Sequence, residues 1–172
     1  MKIIKSIINF TSDILETIVF IGSLYIVIYL YLFFPSVVHG SSMEPTFHTD
    51  DRIVVSKISY KLHPIHRGDV IVLQSPKNPD IDYLKRVIGL PGDTIIIRNG
   101  QVYLNGVLLD ETYINVHTNT WEFGFVKEDT PYVVPEENVF VMGDNRPRSS
   151  DSREFGPISI SSVIGKVIFK YL

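Results

Sequence analysis

The chain has 172 residues, of which 45% are hydrophobic and 20% charged, a length that suits one ordinary domain and not two. It contains no cysteine, which excludes a disulfide scaffold, a thiolate zinc site, an iron–sulfur cluster and a cysteine nucleophile. Its net charge of −3 offers no basic surface for nucleic acid, so we expect no nucleic-acid partner.

The first predicted element is a membrane helix. Residues 17–34 contain no charged side chain. Ile14 and Leu15 extend this apolar run toward the N-terminus, and Glu16 is the one charged residue in between. A bilayer span needs about 20 such residues, and Pro35 is expected to end the helix. The sequence therefore predicts a cytoplasmic N-terminus over 1–13, a transmembrane anchor over 14–34 and an extracytoplasmic domain over 35–172.

The predicted orientation depends on two lysines. Lys2 and Lys5 precede the apolar run and few basic residues closely follow it, which favours a cytoplasmic N-terminus. A cleavable signal peptide is the alternative, but its small-x-small site typically contains alanine, and the chain has none. We expect an uncleaved, single-pass anchor in the cell membrane.

Because the excess of acidic residues persists beyond the anchor, we expect this helix and apolar surface, not charge, to hold the domain to the lipid bilayer.

The rest of the chain predicts a mainly β domain with bent, antiparallel, barrel-like sheets. Runs rich in Val, Ile, Tyr and Phe alternate with turn residues, and they lie at 52–56, 69–73, 83–88, 94–98, 101–104, 137–142 and 162–170. Asn99-Gly100 and Asn105-Gly106 are typical of type I′ hairpin turns. They predict a meander over 94–109 within a small β-extension at about 94–138.

Residues 40–46, Gly-Ser-Ser-Met-Glu-Pro-Thr, are the first segment with unusual chemistry. They expose hydroxyl and N–H groups on a bent chain, although a solvated linker has the same composition. Ser42 is eight residues from Phe34, so it lies within roughly 27 Å of the predicted membrane surface.

The second segment, Asp-Tyr-Leu-Lys-Arg-Val-Ile-Gly-Leu-Pro-Gly-Asp, spans residues 82–93. Strand alternation places Lys85 and Arg86 on opposite faces of one sheet, so one cation must leave water if both faces are covered. A buried lysine can lose its proton and act as a general base, whereas a guanidinium stays charged. The alternative is a half-exposed strand on which both side chains reach solvent.

The third segment, Gly-Asp-Asn-Arg-Pro-Arg-Ser-Ser-Asp-Ser-Arg-Glu-Phe-Gly-Pro-Ile, spans residues 143–158. It is either an ordinary polar turn or a buried network in which Asp144, Asp151 and Arg153 pair with one another. The sequence of this segment alone favours the turn.

These three segments in this order, with Arg-Gly-Asp-Val-Ile-Val at 67–72 and an N-terminal span, closely resemble the type I signal peptidase (leader peptidase) family. The resemblance implies a membrane-bound serine endopeptidase that removes signal peptides from exported preproteins after small-x-small sites, without cofactor or metal. It implies Ser42 as nucleophile, Lys85 as general base and the Ser42 N–H as an oxyanion donor. Some members place a second donor, a serine hydroxyl, two residues before the nucleophile. That position is Gly40 in this chain, and the departure resembles the Gram-positive branch.

The resemblance assigns two further groups of residues. Ser149 matches the serine that hydrogen-bonds the lysine, and the supporting network matches Asp144, Arg146, Asp151 and Arg153. The peptide is expected to bind as an added β-strand beside the lysine strand. The residues that match its shallow pockets are Val38, Met43, Tyr83 and Leu84.

Other hypotheses remain open from the sequence. His39 and His48 flank the serine segment and suggest a Ser-His mechanism, which would leave Lys85 without a role. His63 and His66 suggest a metal site, but no third ligand is evident. The other classes are a self-cleaving repressor-like Ser-Lys peptidase, an organellar processing peptidase and a catalytically silent peptide-binding module.

Overall fold

A single long helix precedes the strands in the computed structural model, which describes residues 2–114, 116–120 and 124–171. This helix, α1, spans Lys2–Leu32, and its Asn9–Leu32 stretch has a mean hydropathy of 2.0 and an exposed apolar surface. By length and composition that stretch can cross a membrane.

The end of α1 differs from the predicted boundary. Phe33 and Phe34, assigned to the anchor by the sequence, pair with Ser56 and Val55 in a sheet instead. Pro35 therefore does not end the helix but lies inside an edge strand, where a missing N–H is tolerated.

Eleven strands and two further short helices follow within the described residues. In chain order the strands are β1 (Phe33–Val37), β2 (Arg52–Ser56), β3 (Val70–Gln74), β4 (Asp82–Gly89), β5 (Thr94–Arg98), β6 (Gln101–Leu104), β7 (Val107–Leu108), β8 (Tyr132–Val133), β9 (Asn138–Met142), β10 (Ile158–Ser159) and β11 (Val163–Lys170). The short helices are α2 (Ser59–Leu62) and α3 (Ser152–Phe155), with 3₁₀ turns at Arg146–Arg148 and Ile160–Ser162.

The strands form two antiparallel sheets. The larger has the order β1-β2-β11-β3-β4-β9-β10 and is curled into a half-barrel, with irregular register in β11 and β4 where the sheet bends. The smaller has the order β7-β6-β5-β8. The predicted mainly β, bent antiparallel fold is confirmed.

The predicted strands agree with this topology to within one residue at each end. The turn residues of the 94–109 meander have φ of 50° and 73° at Asn99 and Gly100, and of 51° and 82° at Asn105 and Gly106. These positive values confirm the type I′ turns. The smaller sheet occupies the predicted extension, of which residues 115 and 121–123 lie outside the described residues.

Three apolar clusters fill the domain. The one beneath the serine segment contains Val38, Met43, Phe47, Ile53, Val55 and Val72. A second packs on β3, β4 and β9 and contains Ile71, Leu73, Val87, Val139, Val141 and Ile158. The third joins the two sheets and contains Ile88, Ile95, Ile97, Val102, Leu104, Val126, Val134, Phe140 and Met142. Burial of each of these large side chains contributes about 1.5–3 kcal/mol.

The pairing of β4 positions the site. Its second half pairs with β9 from Arg86 onward, while its first half pairs with β3 on one side. Within the described residues, the other side of 82–85 has no strand partner. The larger sheet therefore has an open edge beside Lys85.

Candidate active site

Ser42 and Lys85 meet at this open edge. The Nζ atom of Lys85 lies 2.9 Å from Ser42 Oγ and 2.9 Å from the carbonyl oxygen of Leu84. Lys85 is 3% exposed, whereas Arg86 on the opposite face reaches a partly exposed position. Of the two arrangements that the sequence left open, the structure has the one in which the lysine is buried and the guanidinium partly reaches solvent.

The protonation of Lys85 follows from its burial. Loss of water around the ammonium lowers the pKa of Lys85 to about 8, although the nearby carboxylates of Asp151 and Asp144 act to raise it. The guanidinium of Arg153 also favours the neutral amine. A substantial fraction of Lys85 is therefore neutral near physiological pH and can accept a proton.

Asn145 holds the serine segment in place. Its backbone N–H donates to the Ser42 carbonyl at 3.0 Å, and its side-chain amide donates to the Ser41 carbonyl at 2.9 Å. One residue thereby fixes two consecutive peptide units at Ser41 and Ser42. No role for Asn145 was predicted from the sequence.

Asp144 connects the serine segment to β4. Its carboxylate accepts two hydrogen bonds from Arg86, at 2.8 and 2.6 Å, and a third from Thr46 Oγ1 at 2.5 Å. Asp144 is 1% exposed, so this paired, bidentate contact compensates its charge in a buried place.

A second buried ion pair lies behind the lysine. Arg153 donates to both carboxylate oxygens of Asp151 at 2.8 Å, and Asp151 also accepts the Gly143 N–H at 3.0 Å. Asp151 and Arg153 are fully buried. Of the predicted three-way pairing, the Asp151–Arg153 contact is present, and Asp144 accepts hydrogen bonds from Arg86 on β4.

Arg146 connects the site to the segment between β7 and β8 of the smaller sheet. It is fully buried, donates to both Glu111 carboxylate oxygens and to Thr118 Oγ1, and its carbonyl accepts from Arg153 at 2.7 Å. Glu111 was missed from the sequence because nothing in its local pattern distinguishes it from a surface carboxylate.

Ser149 is buried beside these groups without the expected contact. It is 3% exposed, and its Oγ has no hydrogen-bond partner among the described residues, so the bond to Lys85 that the resemblance implies is not formed. A Cβ built on Gly143 would lie 2.2 Å from Ser149 Oγ and 2.4 Å from the Ser42 carbonyl oxygen. The absence of a side chain at Gly143 is what lets these segments approach.

A cleft of about 530 Å³ runs along the open edge of β4. One wall contains residues 36–42, and the other contains residues 80–85, with Arg148 and Ser150 at the rim. Val38, Tyr83 and Leu84, three of the four residues predicted to form the substrate pockets, line this cleft. Met43 is 1% exposed and packs in the apolar cluster with Val38, so it belongs to the core beneath.

The histidines take other positions. His39 lines the cleft, while His48 is 59% exposed at its side chain and faces Asp51 at 3.9 Å. In the described part of the chain, no three His, Asp or Glu side chains converge as a metal ion would require. Ser42 has Lys85 as its side-chain partner, which favours the Ser-Lys hypothesis over Ser-His.

A serine hydroxyl hydrogen-bonded to a buried amine at an open sheet edge is an arrangement that suits a serine peptidase. A family model described as "Signal peptidase, peptidase S26" matches residues 11–172. The chain belongs to this signal peptidase family.

Individual relatives agree with the family model. The chain is 41% identical over 149 residues to a signal peptidase I of Bacillus caldolyticus, covering 83% of this chain and 81% of the relative. It is 34% identical over 174 aligned residues to a signal peptidase IB of Staphylococcus aureus, covering 93% and 90%. The crystal structure of a signal peptidase I from Enterococcus faecalis superimposes with a TM-score of 0.51 at 38% identity, over 62% of this chain and 98% of that one. The repressor-like, organellar and silent-module alternatives are not favoured.

Proposed function

We propose that the chain is a membrane-anchored serine endopeptidase that removes signal peptides from exported preproteins, with Ser42 as nucleophile and Lys85 as general base. The observation that carries this proposal is the 2.9 Å contact between Ser42 Oγ and a buried Lys85 Nζ at an open sheet edge.

The chemistry follows from this pair. Neutral Lys85 takes the proton of the Ser42 hydroxyl as Oγ attacks the scissile carbonyl carbon, and it then protonates the departing amine. A water molecule then attacks the acyl carbon while Lys85 takes one of its protons, and Lys85 returns that proton to Ser42 Oγ as the bond between the acyl carbon and Oγ breaks. Each proton taken is returned, so Lys85 is neutral at the end of the cycle.

The developing oxyanion needs a fixed donor. The Ser42 N–H donates to no acceptor among the described residues, so it is available to the substrate oxygen. Gly40 contributes no side chain to this position. We therefore assign the Ser42 N–H as the oxyanion donor. The hydrogen bonds from Asn145 to the Ser41 and Ser42 carbonyls keep this N–H in position.

The substrate would complete the sheet. The edge at 82–85 has no strand partner on one side within the described residues, so an extended peptide can add there as a strand. Val38, Tyr83 and Leu84 line the cleft and restrict the side chains that fit next to the scissile bond, and Met43 supports this wall by packing with Val38 in the core. Small residues at the first and third positions before the cut fit this restriction.

The supporting residues keep the pair aligned. Asp144, Arg146, Asp151 and Arg153 are buried and mutually hydrogen-bonded or paired with β4 and Glu111, and Ser149 packs next to Gly143. We assign them positioning roles. The α1 helix would anchor the domain in the bilayer with residues 1–13 in the cytoplasm and the domain from residue 35 outside the cell membrane.

One experiment tests the proposed pair. Wild type, Ser42→Ala, Lys85→Ala and the neighbouring control Ser41→Ala are purified in detergent and given a preprotein with an Ala-x-Ala site. We expect the first two variants to lose cleavage and the control to retain it. Full activity in Ser42→Ala or Lys85→Ala would overturn the mechanism.

A further inference from the structure

A basic surface lies where the apolar helix meets the catalytic domain. The backbone N–H of Lys57 donates to the carbonyl of Leu32, the last residue of α1, at 2.9 Å. Its Nζ atom lies 5.0 Å from the centre of the Phe34 ring. Leu32 also ends the stretch that can cross a membrane, so the proposed anchor would place the segment starting at Lys57 at the level of the lipid headgroups.

This juxtamembrane segment, residues 57–68, has an unusual composition for an acidic protein. It contains Lys57, Lys61, His63, His66 and Arg67 and no Asp or Glu. The short α2 helix within it has no buried residue, and both lysines and both histidines are exposed. The segment therefore presents its basic side chains outward.

The two lysines are not neutralised by the protein. Within the described residues neither Lys57 nor Lys61 forms an ion pair, whereas Arg67 binds Asp93. The carboxylate nearest along the chain, Asp69, is buried and holds Lys166 at 2.6 Å. The net positive charge at this end of α1 is thus available to an external anion.

An apolar side chain accompanies these charges. Leu62, next to Lys61, is 66% exposed. Beside it is a shallow cavity of about 270 Å³, lined by Ser59, Tyr60, His63, Pro64, His66, Lys166 and Ile168. Basic side chains around an exposed leucine match the boundary of a bilayer, where headgroup phosphates and acyl chains meet.

We propose that the juxtamembrane segment is a binding surface for anionic phospholipid headgroups, with Lys57 and Lys61 contacting phosphate and Leu62 entering the acyl boundary. The proposal rests on the proposed membrane anchor, because α1 delivers this segment to the bilayer. A lipid surface is favoured over a soluble anion because the site touches the end of the apolar helix and combines charge with exposed apolar area.

The absence of cysteine allows a direct measurement. Leu62→Cys introduces a unique thiol, which is labelled with an environment-sensitive fluorophore in the full chain. The labelled protein is reconstituted into vesicles of phosphatidylcholine alone or with phosphatidylglycerol, each containing a headgroup quencher. The same chain also receives Lys57→Gln with Lys61→Gln, or the control Lys127→Gln at an exposed position outside the segment.

We expect stronger quenching in the vesicles that contain phosphatidylglycerol than in those of phosphatidylcholine alone. Each lysine should increase the equilibrium constant for binding of the segment to the lipid surface by about fivefold. The difference should vanish in the double variant and at ~1 M salt, where the screening length is about 3 Å, and persist in Lys127→Gln. Equal quenching in both vesicles, or an unchanged double variant, would overturn the proposal. Competition by equimolar inorganic phosphate would instead identify a soluble-anion site and also overturn it. Cleavage is measured separately in detergent, so failure of the proposed peptidase function gives a different result.

Discussion

The side-chain amide of Asn145 donates to the carbonyl oxygen of Ser41 at 2.9 Å, 104 residues away along the chain. The contact joins the loop after β9 to the segment that carries Ser42, the proposed nucleophile. Since the adjacent Asn145 N–H also binds the Ser42 carbonyl, the orientation of the Ser42 hydroxyl and N–H depends on this loop.

Replacing Asn145 tests this dependence. Asn145→Asp keeps the shape of the side chain but cannot donate to the Ser41 carbonyl, and Asn145→Ala removes the contact altogether. We predict that both lower kcat by about tenfold, the equivalent of one lost hydrogen bond, with a smaller change in KM. Steady-state cleavage of a preprotein measures the two constants. Wild-type kcat in both variants would show that the backbone contact alone is sufficient.

The pH dependence of cleavage follows from the burial of Lys85. Below its pKa of about 8 the amine is protonated and cannot accept the serine proton, and above that pH it is neutral. We predict that kcat/KM rises with pH through an apparent pKa near this value and then levels off. An activity unchanged down to about pH 5 would be incompatible with a lysine base.

The same burial predicts a cost in stability. The pKa of Lys85 falls from 10.5 to about 8 on folding, so the unfolded chain binds more protons between these values. The burial of Lys85 therefore lowers the free energy of unfolding by its full amount below about pH 8. This penalty disappears as the pH rises toward 10.5. We predict that Lys85→Met abolishes cleavage yet stabilises the fold by about 1–3 kcal/mol at neutral pH. Denaturant unfolding at neutral and alkaline pH checks this; a gain that grows with pH would contradict it.

The Asp144–Arg86 pair should contribute to stability and activity together. Asp144→Asn leaves the largely buried guanidinium of Arg86, whose side chain is 11% exposed, without its counter-charge, which should destabilise the domain by about 2–4 kcal/mol. It also weakens the contact to Thr46, so we predict a lower kcat in the folded fraction. The matched control is Asp129→Asn, which breaks an exposed pair with Arg98 and should leave Tm unchanged. Equal effects of the two substitutions would count against a special role for the buried pair.

The close approach at Gly143 gives a steric test. An alanine Cβ would collide with the Ser42 carbonyl and with Ser149, so the serine segment must move. We predict at least a hundredfold loss of kcat/KM in Gly143→Ala, because small displacements of a nucleophile carry large penalties. Gly22→Ala, where a Cβ meets no atom within 4 Å, is the control and should cleave normally. Circular dichroism of both variants separates lost activity from lost folding.

Local patterns in the sequence predicted much of the sheet and the burial of Lys85. β-Branched runs and two Asn-Gly turns depend on neighbouring residues, and strand alternation alone separates Lys85 from Arg86. These features are encoded within a few positions of the chain. The strand β1 was missed because its two phenylalanines continue an apolar run, and only pairing with β2 separates them from the helix.

The network around the nucleophile could not be predicted in the same way. Asp144 and Arg86 are separated by 58 residues, and Arg146 and Glu111 by 35, so their pairing depends on sheet topology. The sequence gives no distance between such groups. Likewise, the net charge indicated no electrostatic attachment to lipid, whereas the fold brings Lys57 to the end of α1.

The division of β4 into a paired half and an open half has a consequence for when cleavage can occur. A peptide that completes this edge must be extended over several residues with its own backbone N–H and carbonyl groups uncommitted. A segment still wound in a helix, or already paired within a folded domain, cannot supply them. On the proposed function, the cut therefore falls only between the helical part of a leader and the first folded part of its cargo. Under this proposal, the rate of cleavage would depend on whether the exported chain is still unfolded at the cleavage site.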